Sequence, residues 1–189
     1  MQVQEAIWKR RSVRRFKQTA VAHTDLITLV DEARMCASGA NIQPLKFAIL
    51  DTPALVKQVF PYVKWAGYLP DWNPKPSEAP PAYIAVFGDT AIKNSFETDA
   101  GAAITTMMLG AVDLGLSTCW LGAIDRDALF RLLHFPSSLQ LLYLLAVGYG
   151  AQESSSCAME KDNCKYFFDK QNVLQVPKRA LSDVLINLP

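Results

Sequence analysis

Apolar positions change period repeatedly along this chain, and each change predicts an element. In "TDLITLVDEARMCAS", residues 24 to 38, apolar residues stand at Leu26, Leu29, Val30, Ala33 and Ala37. That spacing marks one face of a helix, with Thr24 as its N-cap. The run "LKFAILD" (45 to 51) predicts a strand, and "PALVKQVF" (53 to 60) a helix opened by proline. Residues 2 to 10 read as a short first helix. "AYIAVFG" (82 to 88), "STCWLGA" (117 to 123) and "QLLYLLAVGYG" (140 to 150) predict three further strands. Between them lie an apolar helix over roughly 96 to 115, closed by Gly115, and "DRDALFRLLH" (125 to 134), with Asp125 as N-cap and Pro136 as stop.

Three stretches lack a clear period. Residues 61 to 81 are irregular and rich in Pro, Trp and Tyr, a length that is usually functional or packed on itself. Packing outweighs a role as substrate wall or as cover of a binding site for Trp65, Tyr68 and Trp72. Residues 151 to 165 are polar and predict a loop, and the tail "VPKRALSDVLINLP" holds apolar residues without a core of its own. Alternating helices and strands, with no linker and no repeat, predict a single domain over 1 to 189 of mixed α and β class.

The apolar stretch "AGAAITTMMLGAVDLGL" (100 to 116) is shorter than the roughly 20 residues of a bilayer span and carries Asp113. It reads as a helix buried on most sides, with Gly101, Ala102, Ala103 and Gly110 allowing a second backbone to approach. The opening "MQVQEAIWKRR" has no apolar signal core, so a reducing cytoplasm is expected. Cys36, Cys119, Cys157 and Cys164 form no CxxC pair, and the two histidines, His23 and His134, stand far apart. No metal site is expected on these spacings. Cys119 reads as inert core, the histidines as surface or capping residues, and a Cys157–Cys164 pairing as a minor option. GxGxxG, P-loop, HExxH and GxSxG motifs are absent.

Charge changes the picture at one place. The chain is nearly neutral, at formal charge +1, yet six of its 19 Lys and Arg residues fall in "KRRSVRRFK", residues 9 to 17. A near-neutral remainder argues against nucleic acid or an anionic membrane as partner. The stretch itself is compatible with a solvated basic face, a kinase target around "RRS", or a phosphate site. Arginine suits phosphate because its planar fork gives two parallel charged hydrogen bonds.

The order of motifs narrows these options. "RRSVRRF", then "ARMCASGANIQPLKFAIL", then "DAGAAITTMMLGAVDLGLSTCWLGAI", then "LLAVGYG" and "VPKRAL" strongly resemble the FMN-dependent nitroreductase family over nearly the whole chain. The chain departs from common versions at Ala37, where proline is frequent, and at Leu45, where an aromatic is.

The resemblance implies an α+β fold: a central mixed, mainly antiparallel β-sheet flanked by helices, in an intertwined homodimer. It implies that Arg10, Arg11 and Ser12 hold the FMN phosphate and ribityl chain, that Lys178 and Arg179 close the phosphate site, and that Arg14 lies by flavin N1 and O2. Ser38, Gly39 and Asn41 would come from the other subunit. The backbone at Leu121 and Gly122 would face N5 and O4, with Gly122 permitting close approach. A cation near N1 would stabilise the negative charge that a reduced flavin carries there. The implied activity is an oxidoreductase in which NADH or NADPH delivers hydride to FMN and a small electron-poor acceptor, a nitroaromatic or quinone, is reduced. The flavin carries the chemistry, so no catalytic side chain is named. The competing readings are a flavin-binding redox-responsive or carrier module without turnover, and a dedicated reaction such as reductive dehalogenation or dehydrogenation of a peptide heterocycle.

Overall fold

The strand with the strongest apolar run lies inside the sheet. β2 (Ala82–Asp89) is buried from Ala82 to Gly88, so it needs no polar face. Its Ala82, Ile84 and Val86 pack under α2 (His23–Arg34) and α4 (Glu97–Asp113). Its Tyr83, Ala85 and Phe87 pack on the other side, with Val56 and Val59 of α3 (Pro53–Val59) and Leu129 of α5 (Arg126–Leu133). The sheet order is β1 (Leu45–Leu50), β2, β4 (Leu139–Gly148), β3 (Ser117–Leu121), antiparallel at every pairing. This computed structural model describes residues 1–69 and 72–186. Pro70 and Asp71 of the predicted loop, and Asn187 to Pro189 of the predicted tail, lie outside the described residues.

Two details shape the sheet edge. Val86 pairs with Tyr143 but Phe87 pairs with Leu141, so Leu142 is the extra residue of a β-bulge. Leu142 and Tyr143 consequently both join the α2/α4 side. The chain leaving α1 (Val3–Lys9) then runs along edge strand β3, where a parallel bridge joins Ser12 to Thr118 and makes the sheet mixed. The Val13 N–H donates to the Thr118 carbonyl at 2.9 Å.

Most predicted elements are present, with shifted ends. Asp125 caps α5, its carboxylate accepting from the Ala128 N–H at 3.0 Å. Gly115 ends the long helix region at φ +71°. Thr24 is not a cap: α2 starts at His23 after Ala22, and the Thr24 carbonyl accepts the Thr28 hydroxyl. That helix stops at Arg34, short of Ala37, because Ser38 is held on Asp99 of α4 and the chain has to turn toward it. The histidines take bland roles: His23 Nδ1 lies 2.6 Å from Asp51, and His134 caps α5 at φ 50°.

The predicted loop at 151 to 165 needs correction. It contains β5 (Ser154–Ala158), which joins β7 (Leu174–Lys178) and β6 (Phe167–Phe168) in a second sheet of order β5-β7-β6. "SSSCA" carries no hydrophobic pattern, and its strand exists by parallel pairing to β7, a partner 20 residues away in register. The tail accordingly splits into part of β7 and the four-residue α6 (Leu181–Val184). Within the irregular 61–81 loop, Trp65 is buried, and Tyr68 and Trp72 pack at a tilt against Tyr166 and Phe168, with ring centres 5.1 and 5.9 Å apart.

The tightest approach in the main sheet is at Gly88. A Cβ there would lie 2.4 Å from the ring of Phe96, itself 2% exposed. Gly88→Ala should therefore destabilise the protein by about 1–3 kcal/mol, the usual range for overpacking. Urea unfolding checks it: a lower midpoint at unchanged slope is expected, and an unchanged midpoint would contradict the steric reading.

Candidate functional site

The basic run acquires its geometry from its two ends. Arg10 caps α1 and Ser12 bridges to β3, so the segment between is extended against the sheet edge. Val13 and Phe16 turn into the core, leaving Arg10, Arg11, Arg14 and Arg15 half-buried. Lys9, Arg10 and Arg11 line a cavity of about 330 Å³ together with Ser117, Thr118 and Gln152, and no carboxylate among the described residues lines it. Arg11 donates to the Arg10 carbonyl and to the Ser156 hydroxyl, both at 2.6 Å. Its Nε is buried with no hydrogen-bond partner among the described residues, and so is the Gln152 amide nitrogen. Burial and the neighbouring Arg11 push the Arg10 guanidinium down from its ordinary pKa. Desolvated like charges with spare donors are stable only with a counter-charge.

Arg14 and Arg15 face a different surface. The Arg14 guanidinium lies 4.7 Å from the centre of the Tyr166 ring, and that of Arg15 4.9 Å from Trp72. Arg15 also approaches Glu78 at 3.5 Å. Arg14 makes no ion pair among the described residues, and its N–H donates to the Gln152 side-chain oxygen at 3.2 Å.

Ser38, Gly39 and Asn41 form a separate turn, and Ser38 lines a second cavity of about 230 Å³ with Cys36, Gln43 and Asp99. Ser38 donates to Asp99 at 2.5 Å and accepts from the Gln43 N–H at 2.9 Å. Asp99, 3% exposed, also takes Lys93 at 2.8 Å. Burial alone would push this carboxyl up, but Lys93, Ser38 and the Gly39 N–H outweigh it and hold it below the usual carboxylate range.

Leu121 and Gly122 stand where β3 ends. Leu121 is buried, while Gly122 is exposed, and a Cβ on it would meet Tyr143 at 3.6 Å. Arg126 donates to the Gly122 carbonyl at 3.2 Å and to the bulge carbonyl of Leu142 at 2.7 Å, locking the strand end to β4. Lys178 and Arg179 are exposed at the end of β7 and do not line the Arg10–Arg11 cavity; Arg179 pairs with Asp162 at 2.6 Å. Cys119 is buried, and burial pushes its thiol up to about 11.

The sequence profile of the Nitroreductase family matches residues 7–149. The chain belongs to the nitroreductase family. Its relatives include an iodotyrosine deiodinase of Thermotoga neapolitana, 29% identical over 159 residues, which span 75% of this chain and 84% of that protein. A protein of Archaeoglobus fulgidus named as an NADH dehydrogenase/NAD(P)H nitroreductase is 24% identical over 155 residues, 78% of this chain and 84% of that one. A solved protein of Desulfovibrio desulfuricans, described as a nitroreductase in complex with FMN, superposes with a TM-score of 0.74 at 25% identity, over 100% of this chain and 98% of that one. The α+β architecture is thus the nitroreductase fold. Gln152, Ser156, Lys178 and Arg179 lie beyond the matched residues.

Sequence reasoning missed Asp99, Gln152 and Ser156. Asp99 had a usable signal: an acid in the first turn of an otherwise apolar helix. Asp113 was the acid noted there, and it is exposed. Gln152 and Ser156 had none, since polar residues in a polar stretch look like any loop.

The depressed pKa of Asp99 gives a pH dependence. Its contribution to stability is complete above the unfolded value of about 3.9 and is lost as pH falls through the lower folded value. Asp99→Asn removes that titration. Its urea midpoint should drop less between pH 6 and strongly acidic pH than that of the wild type; equal drops would mean Asp99 is not held as a paired anion.

Proposed function

We propose that this chain is an FMN-dependent oxidoreductase that takes hydride from NADH or NADPH and reduces small electron-poor acceptors, nitroaromatics or quinones, as a homodimer. The observation that carries this reading is the carboxylate-free cavity where Lys9, Arg10 and Arg11 converge with unpaired donors. It fits a phosphate monoester: the three cations that line the cavity would balance its charge, and the arginine forks would supply charged donors to its oxygens. FMN bound at this site would supply two-electron chemistry between a nicotinamide and an acceptor.

The remaining roles belong to the chain itself. Ser12 sets the register of the basic run through its bridge to Thr118. Arg14, which makes no ion pair among the described residues, would lie by the flavin N1 and O2 edge. Gly122 leaves room for a planar ring beside Leu121, and its carbonyl is already held by Arg126, so the strand end is fixed before any ligand arrives. Lys178 and Arg179 would join the phosphate only by leaving their present exposed positions, Arg179 giving up Asp162. Ser38, Gly39 and Asn41 share neither cavity with the basic run, which supports their coming from a second subunit. Exposed apolar side chains at both ends, Val3 and Trp8 at 70% and Ile186 at 81%, support the same dimer. The four cysteines are free, which suits a reducing cytoplasm. No helix among the described residues is long and apolar enough to cross a membrane.

Reductive dehalogenation is the second reading, favoured by the iodotyrosine deiodinase relative. NADH and NADPH oxidation by purified FMN-loaded protein, with menadione, nitrofurazone or iodotyrosine as acceptor, tests both. Turnover with none of the three would favour a flavin-binding module.

Flavin affinity should depend on the cavity cations. Arg10→Ala and Arg11→Ala should each lose about 1.5–3 kcal/mol of FMN binding, the scale of a charged hydrogen bond. Fluorescence titration measures this, and unchanged dissociation constants in both variants would refute the phosphate assignment.

Arg14 should act on potential and not on occupancy. Arg14→Gln is expected to leave FMN bound and to lower its midpoint; a loss of about 1.4 kcal/mol corresponds to roughly 30 mV for a two-electron couple. Potentiometry of both proteins at one pH and salt concentration decides, and equal midpoints remove Arg14 from the ring.

A further inference from the structure

The Ser38–Gln43 turn holds three non-glycine residues at positive φ: Ala40 at 49°, Asn41 at 57° and Gln43 at 54°. Such backbone persists only where its surroundings over-determine it. The surroundings here converge on one buried carboxylate. Asp99 Oδ1 accepts the Ser38 hydroxyl, and Oδ2 accepts Lys93. The same hydroxyl accepts the Gln43 N–H, which closes the turn on itself, and the Gln43 side chain donates to the Asn41 carbonyl and to Asn41 Oδ1 at 3.2 and 3.0 Å.

Hydroxyl chemistry makes this chain directional. Serine has one hydrogen to donate and two lone pairs to accept with. The hydrogen is spent on Asp99 and one lone pair on Gln43, so a single lone pair remains. Placement in the first turn of α4 favours the anion, because the helix N-terminus carries partial positive charge. Lys93 completes its neutralisation from the other side.

We propose that Asp99 is a positioning residue: acting through Ser38, it fixes the turn that presents Gly39 and Asn41 to the flavin, and it leaves Ser38 able only to accept. The proposal rests on the FMN reading above. It makes Ser38 a support of the site and not a donor to the cofactor, and it adds a residue that touches no cofactor atom.

The test is a double-mutant cycle with two readouts: amide hydrogen exchange of residues 40 to 43 in flavin-free protein, and the FMN dissociation constant. Asp99→Ala and Ser38→Ala should each speed exchange in the turn and weaken FMN, by about tenfold, and the double variant should be no worse than either single one, as for residues acting through one path. Asp99→Asn keeps an acceptor for Ser38 and should remain within about threefold of wild type. Additive losses, or turn exchange unchanged in Asp99→Ala, overturn the proposal. If Asp99→Ala does not fold, Ser38→Ala decides: turn exchange and FMN affinity unchanged from wild type overturn it equally. Wild-type protein that takes up no FMN sinks the flavin reading and with it the presentation of Gly39 and Asn41, while the exchange data still decide whether Asp99 fixes the turn.

Discussion

Burial of the central strands on both faces is the constraint from which the rest follows. β2 and the second half of β4 are apolar because helices cover them above and below, and neither can offer a polar side chain without leaving it unpaired in the core. Tyr83 illustrates the cost: its hydroxyl is buried with no partner among the described residues, and burial pushes its pKa far up. Recognition chemistry is therefore displaced to the rim. Edge strand β3 borders the candidate site, with Thr118 at one end beside the basic run and Gly122 just past the other, four residues on in the sequence and so roughly 13 Å along an extended strand.

The rim is also where the energetics are least local. Arg10 and Arg11 sit side by side, half-buried, with no carboxylate among the described residues of their cavity wall. Surface ion pairs contribute little to folding, so protein stability alone gives small reason to gather cations there. A ligand that neutralises them is stabilised by the same crowding that makes the ligand-free arrangement unfavourable. Asp99 is the opposite case, a buried anion whose partners come from the chain itself, and it holds backbone in place without meeting a ligand.

The regular elements were readable because period and burial coincide: the α2 face, the β2 run and the Asp125 cap each carry their cause in neighbouring residues. The basic run and the Ser38–Asn41 turn were readable as motifs, and the structure gives them defined surroundings. What escaped depends on partners distant in sequence. β5 is a strand only beside β7, Gln152 matters because the Arg14 backbone N–H donates to it and it lines the cavity of Arg11, and Asp99 because Ser38 lies 61 residues away. The family resemblance assigns Arg179 to the phosphate, and nothing local in the sequence announces its pairing with Asp162.

The packing of Tyr68 against Tyr166 and of Trp72 against Phe168 has a consequence for how such proteins diverge. The two segments come from opposite halves of the chain, yet they form one surface with Arg14 and Arg15 beneath it. Grafting the 61–81 loop from a relative would therefore leave aromatic side chains at 166 and 168 without their mates. The transferable unit is the pair of segments, and sequence variation at one should be matched by variation at the other.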